Sequence, residues 1–214
     1  LRASKRITGN MRKKKGLFIT FEGPEGCGKS THSKFLYDYL RRRGYSCVYT
    51  REPGGTKLGE EIRHILLHSK ETSIFDLTEV FLFESARAQI VKEIILPALK
   101  KGKVVICDRF SDATIAYQGY AGGVPLETIM ALNNFATGNL KPDLTIFLDV
   151  NTVTGLNRAK KKGRDRMESK NIEYHKRVRA GYLKLAKKEP GRIKVVKVEK
   201  SIAETQAKIL LQIG

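Results

Sequence analysis

The sequence predicts a doubly wound α/β domain, a five-stranded parallel sheet with helices on both faces, on three observations. Five short runs rich in β-branched and apolar residues are spaced along the chain. Between them lie segments long enough for one or more helices, and strands joined that way run parallel and are covered on both faces. Singular residues cluster where the runs end: Gly23, Arg51 with Glu52, Asp108 with Arg109, and Asp149. Ligands of such sheets gather at the carboxyl ends of the strands.

The elements follow in order. "LFITFE" (17–22) is the first strand and meets a glycine-rich turn, after which an apolar period predicts a helix over 29–43. "SCVYT" (46–50) is the second strand; Pro53, Gly54 and Gly55 break it from helices at 57–68 and 76–100. "KVVICD" (103–108) is the third strand, and Gly122, Gly123 and Pro125 precede a helix at 125–137. "LTIFLD" (144–149), helices at 152–161 and 168–188, "IKVVKV" (193–198) and a helix at 201–213 complete the pattern. Residues 1–15 form a basic head without periodicity, expected to be disordered. Met11 is expected as the natural start, with residues added for expression before it. Residues 16–214 form one domain, with a lid at about 155–170.

Several classes are excluded or set aside. A length of 214 residues fits one domain. No run approaches the roughly 18 apolar residues of a membrane span, and no secretory signal is visible. Cys27, Cys47 and Cys107 have no metal-ligand spacing and read as reduced thiols of a cytoplasmic protein. The formal charge of +19 suggests a polyanionic or phosphorylated partner, or simply a solvated surface.

Gly23-Pro24-Glu25-Gly26-Cys27-Gly28-Lys29-Ser30, followed by Thr31, has the phosphate-loop pattern between a strand and a helix. Its glycines let backbone N–H groups turn toward phosphate oxygens at a helix N-terminus. Lys29 is suited to the β- and γ-phosphates and Ser30 to Mg²⁺. The loop says nothing of the acceptor. A guanine-reading N-K-x-D is missing, since "NLKPD" (139–143) has the wrong spacing. Asp108 is suited to the Mg²⁺ shell and Arg109 to a forked contact with phosphate. Asp149 is a second carboxylate candidate for that cluster. The basic stretch "RAKKKGRDRME" carries Arg158, Arg164 and Arg166. Closing over a triphosphate, it would neutralise charge and exclude water, which matters only when the acceptor is not water. That points to a kinase.

From about Gly16 onward the chain resembles the thymidylate kinase (dTMP kinase) family. The matching strings are "FEGPEGCGKST", "TREPGGTKLGEEIR", "FLFESAR", "CDRFSDATIAYQG", "KPDLTIFLDV" and "GRDRME". The resemblance implies a nucleoside monophosphate kinase fold, ATP with Mg²⁺ as donor, dTMP as acceptor, dTDP as product and a homodimer. It implies that Phe83 stacks on thymine, Arg87 reaches the base edge, and Arg63, Arg109 and Gln118 contact the acceptor nucleotide. Glu25 would approach the sugar 3′-hydroxyl, Tyr117 would crowd the 2′ position, and Thr114 would face the base. Glu52 and Pro53 would belong to the same pocket. Gly26, where other members place an arginine, implies that the catalytic arginine comes from the lid. Ala113, where relatives often carry serine, is a departure.

An acceptor phosphate, with a second pKa near 6, is largely a dianion at neutral pH and needs no general base. The four histidines, His32, His64, His68 and His175, accordingly form no catalytic pattern. Two rivals stand beside this reading. A kinase for another deoxynucleotide or a deoxynucleoside is one; a neutral hydroxyl acceptor would need a base such as Glu25 or Glu52. A nucleic-acid-dependent ATPase, prompted by the charge, is the other. No aromatic-interleaved basic patch recommends it, so no specific nucleic-acid partner is expected.

Overall fold

Five parallel strands lie side by side in the order β2-β3-β1-β4-β5. The computed structural model describes residues 16–68, 73–160 and 165–213. The expected head at 1–15 and the lid residues 161–164, Arg164 included, lie outside the described residues. The strands are β1 (Leu17–Glu22), β2 (Cys47–Arg51), β3 (Val104–Asp108), β4 (Leu144–Asp149) and β5 (Ile193–Lys197). Between them run α1 (Lys29–Arg42), α2 (Lys57–His68), α3 (Asp76–Ile90), α4 (Leu96–Lys100), α5 (Ser111–Thr114), α6 (Leu126–Thr137), α7 (Thr152–Lys160), α8 (Ile172–Lys188) and, last, α9 (Ile202–Ile213).

Every residue of β1 is buried, as a central strand covered on both faces requires. Its side chains alternate between two cores. Leu17, Ile19 and Phe21 pack with Leu36 and Leu40 of α1 and Ile209 and Ile213 of α9. Phe18 turns the other way, onto Ile90, Ile95 and Phe110. On that second face Phe147 of β4 stacks on Tyr182 of α8, with ring centroids 5.1 Å apart. The chain leaves β1 toward β2 but leaves neighbouring β3 toward β4, on the opposite side. The carboxyl end of β1 is therefore where the crossovers diverge and a crevice opens.

The expected elements are present, with strand ends shifted by about one residue. Three differences have clear causes. The helix expected from 168 begins at Ile172, because the Asn171 side chain caps it by accepting from Tyr174 N at 2.8 Å. A helical stretch was not expected at 111–121, yet α5 runs on into a π-helical turn, Ile115–Ala121. Ile115, two tyrosines and Gly119 give it little intrinsic helix propensity; packing of Ala116, Tyr117 and Ala121 into the core beside α8 holds it. The helix expected over 76–100 is continuous but loosens into a π-helical turn at Val91–Ile95. Pro97, just beyond, cannot donate to the carbonyl four residues back.

Candidate active site

A cleft of about 720 Å³ opens at the carboxyl ends of the strands. Its floor is the phosphate loop. Gly28 enters α1 with φ 89°, a left-handed conformation that favours glycine. No side chain caps α1 and no acid occupies its first turn, so the amides there remain available to an anion. Gly26 has φ 68°, and a Cβ there would sit 1.9 Å from the Gly155 carbonyl oxygen. No arginine fits at 26 while α7 packs there.

Lys29 is buried, its ammonium donating to the carbonyls of Gly23 and Pro24, both at 3.1 Å. Ser30 Oγ donates to Asp108 Oδ2 at 2.6 Å. A hydroxyl and a carboxylate oxygen adjoining the loop are the hard oxygen donors that Mg²⁺ takes, with phosphates and water completing its shell. Among the described residues no group of three or more His, Cys, Asp or Glu side chains is arranged to hold a metal. Ser30 and Asp108, two hard oxygen donors beside the loop, fit Mg²⁺.

Arg109 follows β3 with φ 72°, a strained conformation for a non-glycine residue. Its guanidinium donates to Glu25 at 2.6 Å, Tyr117 at 2.9 Å, the Gly23 carbonyl at 3.1 Å and Tyr182 at 3.3 Å. Burial alone would raise the Glu25 carboxyl, but Arg109 and Lys29 overcome it and hold it down at about 2. Behind Arg109, wholly buried Glu22 accepts from Phe110 N and from the Tyr182 hydroxyl, both at 2.7 Å. Burial, and then Asp112, push the Glu22 carboxyl up to about 8.

The cleft is lined by Glu25, Gly26, Cys27, Gly28, Lys29, Ser30 and Thr31, and by Asp108 and Arg109. Toward the other end stand Glu52, Arg63, Phe83, Thr114, Tyr117 and Gln118, with Ala113 among them. Arg158 lines the cleft from α7. Others are placed differently. Gly23, Pro24 and Pro53 face it only indirectly, through carbonyls that accept from Lys29 and, for Pro53, from Arg63 Nη1 at 2.8 Å.

Three of the expected residues are placed outside the cleft lining. Arg87 is 1% exposed and does not line the cleft. Its guanidinium donates to Glu52 (2.8 Å), Thr114 (3.0 Å), Asn133 (2.8 Å) and the Phe110 carbonyl (3.3 Å), and it pairs with Glu84. It braces the pocket wall from behind. Burial would lower this guanidinium, but Glu52 and Glu84 raise it, while burial and Glu84 lift Glu52 to about 7 against Arg87. Arg166 is likewise outside the lining. It pairs with Glu79 and donates Nε to the Leu66 carbonyl at 2.8 Å. Asp149 forms a two-pronged pair with Arg179 at 2.6 and 2.9 Å.

Sequence reasoning missed the segment after β5, where Val198, Glu199, Lys200, Ser201, Ile202 and Thr205 line the cleft. The strand-end rule would have found it, had it been applied to the fifth strand. Glu22 was legible as an acid in an otherwise apolar strand. Asp165, Met167 and Glu168, within the expected lid, also line the cleft; burial, then Asp165 and Glu25, push Glu168 up to about 7.

Comparisons agree on one family. A family model described as thymidylate kinase matches residues 21–209. A thymidylate kinase of Dehalococcoides mccartyi (strain ATCC BAA-2266 / KCTC 15142 / 195) is 48% identical over 190 residues, covering 89% of this chain and 91% of the relative. One from Thermoanaerobacter sp. (strain X514) is 45% identical, covering 92% of this chain and all of its own length (100%). The crystal structure of thymidylate kinase from Ehrlichia chaffeensis superposes with a TM-score of 0.78 at 33% identity, covering 94% of this chain and 100% of that one.

Proposed function

Because the chain belongs to the thymidylate kinase family, we propose that its cleft seats ATP on the phosphate loop and dTMP in the pocket beyond. The reaction is transfer of the γ-phosphoryl group of ATP to the phosphate of dTMP, giving dTDP for dTTP synthesis. The observation that carries the assignment of residues is the meeting of Lys29, Ser30, Asp108 and Arg109 in one cleft with Phe83, Thr114, Tyr117 and Gln118.

The chemistry asked of the chain is electrostatic. The acceptor phosphate is already a dianion, so the work is to bring two polyanions into line. Lys29 exchanges its loop carbonyls for phosphate oxygens, and Arg109 turns from Glu25 to the phosphate of dTMP. Arg63 adds charge at the acceptor end, Arg158 and Arg164 at the lid. Ser30 and Asp108 hold Mg²⁺, which neutralises charge on the donor phosphates when bound. Phe83 stacks on the base, and Tyr117, its hydroxyl held by Glu25 at 2.6 Å, stands at the sugar 2′ position against ribonucleotides.

Assembly as a homodimer is supported by large apolar side chains exposed on three neighbouring helices: Leu58 and Ile65 on α2, Leu77 and Phe81 on α3, Met130 and Phe135 on α6. Light scattering reads the mass directly. A cytoplasmic location is supported by three free thiols. No helix of the described residues is long and apolar enough to cross a membrane.

The test is ADP release with dTMP, dUMP, thymidine, AMP and GMP as acceptors. dTMP should be preferred, with dUMP next, since one methyl is worth about 1–3 kcal/mol. Preference for thymidine or AMP would overturn the pocket assignment.

A further inference from the structure

Glu79 is an acid in an unexpected place. It lies on α3, 3% exposed, and both its carboxylate oxygens are taken. Oε1 accepts from Gln118 Nε2 at 2.7 Å, and Oε2 pairs with Arg166. Arg166 in turn is strapped to the end of α2 by its Nε to the Leu66 carbonyl and by its own amide to Leu67 O at 3.2 Å. A carboxylate in an ion pair only accepts hydrogen bonds, so the Gln118 amide has a single permitted orientation here. Its NH₂ end must meet Glu79. Its carbonyl oxygen is met by no donor among the described residues, and Gln118 lines the cleft together with Tyr117 and Thr114.

We infer that Glu79, held by Arg166, is a positioning residue that fixes the polarity of the Gln118 amide and so makes the acceptor pocket select bases with a ring N–H. The inference rests on the dTMP pocket proposed above. Thymine and uracil carry a proton on the ring nitrogen of their pairing edge and can donate to a carbonyl. Cytosine carries a lone pair at that nitrogen, which a fixed carbonyl oxygen repels. A buried polar group facing the wrong partner discriminates strongly because its own hydrogen bond is lost. Arg166 thereby acts through Glu79, and not on the transferring phosphoryl group.

Substituting Glu79→Gln gives a sharp test. With Arg166 intact, the carbonyl at position 79 faces the guanidinium and the new NH₂ faces Gln118, which must then rotate and present NH₂ to the cleft. The ratio of kcat/KM for dTMP to that for dCMP should fall about tenfold or more in E79Q, with the KM for ATP unchanged. In a Q118A background the same substitution should leave the ratio where Q118A put it, because the intermediary is gone. An unchanged ratio in E79Q, or an equal further fall in Q118A, overturns the inference. Should E79Q fold poorly, E79Q/R166M removes the guanidinium that E79Q leaves without a carboxylate and is read by the same ratio, which should again fall. Wild-type inactivity on dTMP overturns the parent reading and this one with it. Wild-type activity with an unmoved ratio overturns this one alone.

Discussion

Arg87 and Arg109 each sit with glutamate, hydroxyl and main-chain carbonyl partners, yet one faces the protein interior and the other the cleft. Arg87 lies within regular α3, and its side chain is 2% exposed, with Glu52 at 3%. Arg109 follows a strand end at φ 72°, and its side chain is 16% exposed, with Glu25 at 14%. The difference shows what converts an internal ion pair into a site. Similar partners make a wall where the backbone is relaxed and water is excluded. They make what we propose is a hand where the backbone is strained and the cation, partly exposed at the cleft, trades its carboxylate for an incoming anion. Buried pairs add little net stability, but breaking one leaves an uncompensated charge.

The largest effect should come from R87M. It strands Glu52 and Glu84 inside the wall and should cost about 3–5 kcal/mol in urea unfolding. Activity of the protein that remains folded should fall much less. R109A should do the reverse. Loss of one preorganised charge from the reacting phosphates should lower kcat about 100- to 1,000-fold. Stability should fall less than in R87M, since Glu25 keeps Tyr117, Lys29 and access to cleft water. Should R109A unfold as readily as R87M while keeping its kcat, the distinction between wall and hand is wrong.

Much of this arrangement could be read from the residues alone, because the strands and the phosphate loop are local. Alternating apolar runs set β1 to β5 to within about a residue, and "GPEGCGKS" dictates its own backbone. Asp108 and Arg109 could be placed at the cleft for the same reason, since a strand end fixes where its next residues point. What could not be read was partnership. Arg87, Arg166 and Asp149 are charges whose roles depend on Glu52, Glu79 and Arg179, which lie 35, 87 and 30 positions away. The segment 111–121 was missed because its helicity comes from packing against α8 and not from propensity. The segment after β5 has no motif and is recognised only by where the fifth strand ends.

The finest separation of the two arginine clusters lies in their protons. Each contains one carboxyl raised from an ordinary value of 4.5: Glu22 to about 8 beside Arg109, and Glu52 to about 7 beside Arg87. An acid raised on folding binds more protons in the native state than in the unfolded chain across the intervening window. Stability from such a group is therefore full below about 4.5 and is lost as pH rises through its folded value. Each group can contribute a downward slope of at most about 1.4 kcal/mol per pH unit. Both windows open near 4.5 and run through neutral pH, so E22Q and E52Q should each flatten part of the downward slope, E22Q the larger part. Either substitution should remove only its own share. Urea midpoints at about pH 5.5, 6.5 and 7.5 for the three proteins read this directly, whatever the absolute stability of each variant. If E22Q keeps the wild-type slope up to pH 8, the Glu22 carboxyl is ionised in the native protein. The strained turn at Arg109 would then be held beside a charge, not by a neutral acid.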